Sequence, residues 1–113
     1  MAAADCGHVI NPRLVEMQIE SAVIYGLTAA LGDAITIKDG AVEQTNFDSY
    51  NVMRMDEMPR VEAVHVPSGG FWGGVGEPTI AVAAPSVLNA IYKATGKRVR
   101  VLPVMHQDLK KGA

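Results

Sequence analysis

Two stretches of the chain place apolar residues at helical spacing, and shorter runs between them alternate in the way of strands. The first helix is predicted from Pro12 to Leu31, with Asn11 as its cap and Gly32 at its end. Small residues such as Gly26 predict that another backbone approaches it closely. Its predicted apolar face consists of Leu14, Gln18, Ala22, Tyr25 and Ala29, widened by Val15, Ile19, Val23 and Leu27.

Gln18 interrupts this apolar face with a side-chain amide. A buried amide without a partner costs on the order of 1–3 kcal/mol, so we expect a hydrogen-bond partner for it. From the helix alone, the backbone of a neighbouring loop is the simpler partner, and a bound ligand is the alternative. Gln18 is therefore a candidate binding residue.

The rest of the chain predicts short strands and a second helix. An Asp-Gly pair between two alternating runs indicates a hairpin over Ile35–Thr45, and Val61–Val66 and Arg98–Val104 predict two further strands. The second helix is predicted to be regular from Pro85 to Thr95, after a looser turn, because proline breaks or kinks a helix interior. Together these elements predict one α+β domain over residues 1–113, with two helices packed on a small, mostly antiparallel sheet.

A glycine-rich loop covers Gly69 to Gly76, and its last part, in the run Gly73-Gly74-Val75-Gly76-Glu77-Pro78, delivers one carboxylate directly before the second apolar helical stretch. Glycines let a backbone take positive φ angles and approach a ligand closely, and the proline fixes the next φ. Glu77 is thereby held at a constrained bend, where a carboxylate can serve as a general base. For the loop taken alone, a plain connection with a solvent-facing glutamate is the simpler interpretation.

Composition and charge exclude several classes of function. Hydrophobic residues make up 49% of the chain and charged residues 19%, with a net charge of −2, which favours a compact core and argues against nucleic-acid binding. The single cysteine and the dispersed histidines predict neither a disulfide nor a metal site. Residues 14–31 carry Glu16, Gln18 and Glu20, so we expect no membrane span. The polar tail, residues 107–113, is predicted to fray.

Several short motifs occur in an order that resembles the last segment of the molybdopterin-binding large subunit of molybdenum hydroxylases. These motifs are Asp5-Cys6-Gly7, Ile10-Asn11-Pro12, Gln18-Ile19-Glu20, Asn46-Phe47-Asp48, Met55-Asp56-Glu57, Gly74-Val75-Gly76-Glu77, Ala84-Pro85-Ser86 and Ala94-Thr95-Gly96. The similarity runs roughly from Ala4 to Val104, and each motif alone is weak while the ordered set is specific. The branch it resembles is the isoquinoline 1-oxidoreductase and aldehyde dehydrogenase type of the xanthine dehydrogenase family.

The resemblance implies a particular chemistry. Members of the family oxidise a carbon beside nitrogen or oxygen, as in an aldehyde or N-heterocycle, with water as the oxygen source. Their molybdenum sits on a molybdopterin, in this branch often the cytosine dinucleotide, and the glutamate of their Gly-Val-Gly-Glu motif acts as the base. The resemblance therefore implies Glu77 as the catalytic residue, and Gln18, Gly74, Val75 and Gly76 as cofactor-binding residues.

The resemblance also implies partners, since family large subunits are much longer than this chain. We expect the chain to be inactive alone, to need the remainder of the large subunit and an iron–sulfur or haem electron-transfer subunit, and to self-associate when isolated. The alternative is a non-catalytic remnant that acts by self-association or small-ligand binding. The sequence leaves the compartment open: with no signal-peptide pattern at its start the chain as it stands reads as cytoplasmic, and a complete relative can be periplasmic.

Overall fold

The computed structural model describes residues 1–110, and it confirms the α+β class. The last three residues of the tail that was predicted to fray lie outside the described residues. In chain order the elements are β1 (Ala2–Ala4), α1 (Pro12–Leu31), β2 (Ile37–Lys38), β3 (Ala41–Val42), β4 (Ala63–His65), α2 (Ile80–Thr95) and a 3₁₀ turn (Val104–His106). The helices pack on each other, and β4 lies against α1.

The two ends of α1 form as predicted. Asn11 Oδ1 accepts a hydrogen bond from the Leu14 N–H at 3.3 Å, and Pro12 occupies the first turn, where its missing N–H costs nothing. At the other end the Gly32 N–H donates to the Thr28 carbonyl at 3.1 Å. Local capping therefore sets the length of α1.

The buried face of α1 keeps Val15, Ile19 and Ala22 of the predicted face and is rotated away from the rest of it. Its buried residues are Val15, Ile19, Ala22, Gly26 and Ala30, whereas Leu14, Gln18 and Tyr25 are exposed. The close approach of another backbone is confirmed at Gly26, where a Cβ atom would lie 2.7 Å from Ala83 Cβ and 3.0 Å from the Ile80 carbonyl oxygen. The position of α2 over Gly26 therefore decides which side of α1 is covered.

By length and composition, α1 alone among the described helices could cross a membrane. This is weak evidence for a span, because the core helices of globular proteins pass the same test. In this structure the buried residues of α1 pack against α2 and β4, and 28% of its apolar 18-residue window is buried.

The predicted hairpin is confirmed with shorter strands. β2 and β3 pair antiparallel, and Asp39 and Gly40 between them have φ angles of 50° and 79°. Two successive left-handed residues are what a two-residue type I′ turn requires, and Asp-Gly supplies them at low cost. Residues 46–59 form turns and irregular backbone without a strand.

The predicted single, mostly antiparallel sheet is wrong, because the strands form two separate pairs. β4 lies within the predicted strand Val61–Val66, but it pairs in parallel with β1, with Ala2 opposite Ala63 and Ala4 opposite His65. The three alanines of β1 have little strand propensity, so the sequence carries no local signal for this pairing.

The predicted looser turn before Pro85 is wrong, because α2 is regular from Ile80 onward. Pro85 removes the hydrogen bond that its own N–H would have donated, and its ring crowds the carbonyl four residues before it. The preceding turn is held instead by tertiary packing, since Ala83 is buried against Gly26 of α1.

The predicted strand Arg98–Val104 is also wrong, because it forms no strand. The Arg98 guanidinium carbon lies 3.7 Å from the ring centroid of Tyr92 on α2, and Val99 and Val104 are buried. Pro103 has no N–H for a strand ladder. Side-chain packing against α2 and the core therefore places this segment without backbone pairing.

A small core joins the first residues of the chain to α1 and to the glycine-rich loop. It consists of Cys6, Val15 and Ile19, with Ala2, Ala4, Val9, Ala63 and Val75 packed against it. Ile19 is fully buried at its centre. Because Val75 belongs to this cluster, the loop is anchored beside α1.

Candidate functional site

Glu77 lies at the bend between the glycine-rich loop and α2, as predicted. The Ile80 N–H donates to the Glu77 carbonyl at 2.9 Å, which closes a turn directly ahead of the helix. Thr79, between them, is buried at 6% exposure. The backbone of Glu77 is therefore held in place while its side chain is exposed to solvent.

Glu77 shares one open cavity of about 260 Å³ with Gln18 and Gly76. The remaining walls come from α1 and the start of α2, namely Ser21, Ala22, Tyr25 and Ile80. A Cβ atom at Gly76 would lie 4.0 Å from Gln18 Oε1, so the glycine leaves a gap that a larger residue would fill. The structure thus brings together three of the five residues that the resemblance implies.

The expected burial of Gln18 is wrong. Because the buried face of α1 runs through Val15 and Ile19, the Gln18 amide is exposed on the side that faces the loop. Water can satisfy an exposed amide, so no penalty for an unpaired buried group arises. The amide is instead free to bind a group that enters the cavity.

Gly74 and Val75 lie apart from that cavity. They border a second opening of about 150 Å³ together with Asp5, Cys6 and Thr79. The Val75 side chain packs on the core, so only its backbone is available to a ligand. The two loop residues therefore contribute peptide groups, whereas Gln18 and Glu77 contribute side chains.

The prediction of positive φ angles holds for only one glycine of the loop. Gly69 has a φ angle of +72°, whereas Gly73, Gly74 and Gly76 lie outside the left-handed region. A Cβ atom at Gly74 would meet nothing within 4 Å. The later glycines therefore leave the loop surface bare and are not required by backbone conformation.

Hydrogen bonds to Asp5 and Cys6 hold the loop in place, a feature that sequence reasoning missed. Asp5 Oδ1 accepts from the Gly7 N–H and from Ser68 Oγ, both at 2.9 Å, and the Gly73 N–H donates to the Cys6 carbonyl at 3.1 Å. The Gly7 N–H, and after it the Ser68 hydroxyl, lower the pKa of Asp5 because both bonds favour the carboxylate. Aspartate two residues before glycine is a known turn signal, which could have indicated the first of these bonds.

Comparison with known proteins assigns the family. The family model of the molybdopterin cofactor-binding domain matches residues 1–59, just over half of the 113 residues, and the chain belongs to this family. Subunit beta of isoquinoline 1-oxidoreductase from Brevundimonas diminuta is 31% identical over 102 residues, which cover 90% of this chain and 13% of that protein. A membrane-bound aldehyde dehydrogenase of Gluconacetobacter polyoxogenes, named with pyrroloquinoline quinone, is 32% identical over 108 residues, covering 96% of this chain and 14% of that protein.

A solved structure gives the same result. The crystal structure of a copper- and molybdenum-containing CO dehydrogenase, in its carbon monoxide-reduced state, superposes with a TM-score of 0.71 at 26% identity, over 81% of this chain and 12% of that one. The resemblance to molybdenum hydroxylase subunits is thereby confirmed, and the cofactor of the family is a molybdopterin. The chain spans 13% and 14% of the lengths of the two curated relatives above.

The groups around the two openings fit part of such a cofactor. The N–H groups of Gly74, Val75 and Gly76 donate to no acceptor among residues 1–110. These N–H groups are free to donate to a ligand, and the exposed Gln18 amide adds a donor and an acceptor for a pterin edge. The bare surface at Gly74 and the gap at Gly76 leave room for a close approach. The donors present therefore suit a phosphorylated pterin.

Proposed function

We propose that this chain is part of a molybdenum hydroxylase that oxidises an aldehyde or an N-heterocycle with water as the oxygen source, and that it supplies the catalytic base. The observation that best supports this role is the meeting of Gln18, Gly76 and Glu77 at one cavity. The first lies on α1 and the other two on the loop before α2, so the fold brings together residues that are far apart in the sequence.

Each group has a distinct task in the proposed reaction. Gln18 and the free N–H groups of Gly74, Val75 and Gly76 would hold the cytosine dinucleotide form of molybdopterin, which when bound supplies the two-electron oxidation. The Glu77 carboxylate takes the proton from the water that provides the oxygen atom. The turn that holds the Glu77 backbone limits the positions its carboxylate can reach, which is the geometric requirement for a general base.

The chain alone is expected to be inactive, because its proposed base lies open to solvent. General bases are tuned by a site that excludes water, and here nothing among residues 1–110 covers Glu77. The remainder of the large subunit would close the cavity, and an iron–sulfur or haem subunit would take the electrons onward. Both partners belong to the proposal.

The isolated chain should also self-associate, since it exposes large apolar side chains. Phe71 is 93% exposed, Tyr25 65% and Leu14 57%. Apolar surface of this extent usually marks an interface. The loop and the outer face of α1 would be covered by the rest of the subunit in the complete protein and by other copies when the chain is alone.

Co-expression with the remainder of the large subunit tests the proposal. The assembly should co-purify with molybdenum and release cytosine nucleotide on acid treatment, measured by elemental analysis and chromatography. The remainder expressed without this chain is the control and should retain much less of both. Equal molybdenum and nucleotide with and without the chain would contradict a cofactor-binding role for it.

A further inference from the structure

We propose that Asp5 is a positioning residue, which holds the glycine-rich loop through Ser68 and thereby places Glu77. The hydrogen bonds that join Asp5, Gly7, Ser68 and Gly70 are here called the clamp. The catalytic consequence of the clamp rests on the proposed function, but the clamp itself can be measured in the chain alone. Asp5 is separated from Ser68 by 63 residues and joined to it by a 2.9 Å hydrogen bond.

The clamp consists of linked hydrogen bonds at the beginning of the loop. Asp5 Oδ1 accepts from the Gly7 N–H and from Ser68 Oγ, and Ser68 Oγ accepts from the Gly70 N–H at 3.2 Å. The Gly7 turn has a φ angle of +79°, and a Cβ atom there would run into the Phe71 carbonyl oxygen. The turn after Asp5 and the first half of the loop therefore lie in direct contact.

The second half of the loop connects the clamp to Glu77. The Gly73 N–H donates to the Cys6 carbonyl, and the Trp72 ring stacks on His8 with ring centroids 5.2 Å apart. Val75 is packed on the core and Glu77 is held by the turn into α2. Beside these contacts, Asp5 adds the side-chain attachment at the beginning of the loop, through Ser68.

Two features mark the carboxylate as the central acceptor of the clamp. It receives two donors on one oxygen, and those donors lower its pKa, so it is charged while it holds them. Hydrogen bonds to a charged acceptor are stronger than neutral ones. Asparagine at this position keeps the size of the side chain and one acceptor oxygen but loses the charge, whereas alanine loses both the acceptor oxygen and the charge.

Trp72 is the only tryptophan of the chain, so its fluorescence reports on the loop directly. In Asp5→Ala, at a dilution where light scattering shows a monomer, acrylamide quenching should rise by up to about 1.6-fold as Trp72, which is 61% exposed, becomes fully exposed, with unchanged far-UV circular dichroism. Ser68→Ala should act in the same direction, Asp5→Asn should restore most of the protection, and the exposed Asp48→Ala should change nothing. Quenching in Asp5→Ala equal to that of the parent chain would overturn the clamp.

The catalytic consequence is tested in the co-expressed assembly. A misplaced catalytic group can cost on the order of 10²-fold, so kcat of Asp5→Ala should fall by roughly that factor at equal molybdenum content. In a Glu77→Gln background the same substitution should have no further effect, because it acts through Glu77. Increased quenching with unchanged kcat, or full additivity with Glu77→Gln, would overturn the positioning role. A parent assembly without turnover would refute the proposed function, while the quenching result would still decide whether Asp5 holds the loop.

Discussion

Gly26 is the position where the fold of this chain can be tested most sharply, because a single methyl group should separate its two helices. A Cβ atom there would lie 2.7 Å from Ala83 Cβ and 3.0 Å from the Ile80 carbonyl oxygen. Carbon atoms in contact prefer separations of about 3.5–4.0 Å, so α2 must move by roughly 1 Å. Since Gln18 lies on α1 and Glu77 directly precedes α2, this movement would also open the proposed site.

The magnitude follows from two opposing effects in Gly26→Ala. Overpacking a tight contact costs about 1–3 kcal/mol, and the upper half of that range applies here because one neighbour is backbone. Replacing a helical glycine by alanine gains roughly 1 kcal/mol. We therefore expect the free energy of unfolding to fall by about 1–2 kcal/mol, the overpacking being larger than the propensity gain.

Urea unfolding followed by far-UV circular dichroism measures this difference. Ala29→Gly, at an exposed position of the same helix, provides the propensity term alone and should cost about 1 kcal/mol. Ala83→Gly removes the shorter contact but costs about 1 kcal/mol as a helical glycine, so the double variant Gly26→Ala with Ala83→Gly should lose less than the sum of the two single variants. A Gly26→Ala chain more stable than the parent would refute the close crossing of α1 and α2.

Three further predictions follow from the site and its surroundings. Gly76→Ala should leave the free energy of unfolding unchanged, because its Cβ would make only ordinary contact with Gln18, but it should lower the molybdenum content of the co-expressed assembly. Gly74→Ala, whose Cβ would lie in open space, should lower that content less. Equal losses of molybdenum in the two variants would contradict cofactor binding at the cavity beside Gly76. Because the pKa of Asp5 is lowered in the folded chain, its carboxylate stabilises the folded loop at pH values above the ordinary pKa of 3.8, and this stabilisation is lost as the pH falls through the lowered pKa. Acid should therefore increase acrylamide quenching of Trp72 in the parent chain and not in Asp5→Ala. Light scattering of the isolated chain should show concentration-dependent self-association that Phe71→Ser weakens, and a monomer at all concentrations would contradict it.

The elements that could be predicted from sequence are those set by local chemistry. Asn11 and Pro12 define the start of α1, and Asp39 with Gly40 defines the hairpin, because capping and turn residues act on their own neighbours. The rotation of the buried face of α1 could not be predicted in this way, since it depends on where α2 crosses at Gly26. The parallel pairing of β1 with β4 likewise joins distant alanines that carry no local signal.

The candidate site likewise has one part that local sequence predicts and other parts that depend on long-range contacts. The bend at Glu77 follows from the loop sequence, and the resemblance implies separate roles for Glu77 and Gln18, but that they share one cavity is seen only in the structure. The clamp from Asp5 to Ser68 spans 63 residues of sequence, so neither segment alone indicates the other. Long-range contacts of exposed polar side chains leave no periodicity to detect, and only coordinates reveal them.

The turnover of Glu77→Gln in the co-expressed assembly tests the central claim most directly. Glutamine keeps the size of the side chain but cannot take a proton, and loss of a general base typically costs 10²–10⁴-fold. We predict a fall in kcat within about that range at unchanged molybdenum content, while Glu62→Gln, which neutralises another exposed glutamate, retains parental turnover. Parental kcat in Glu77→Gln would contradict the assignment of this carboxylate as the base.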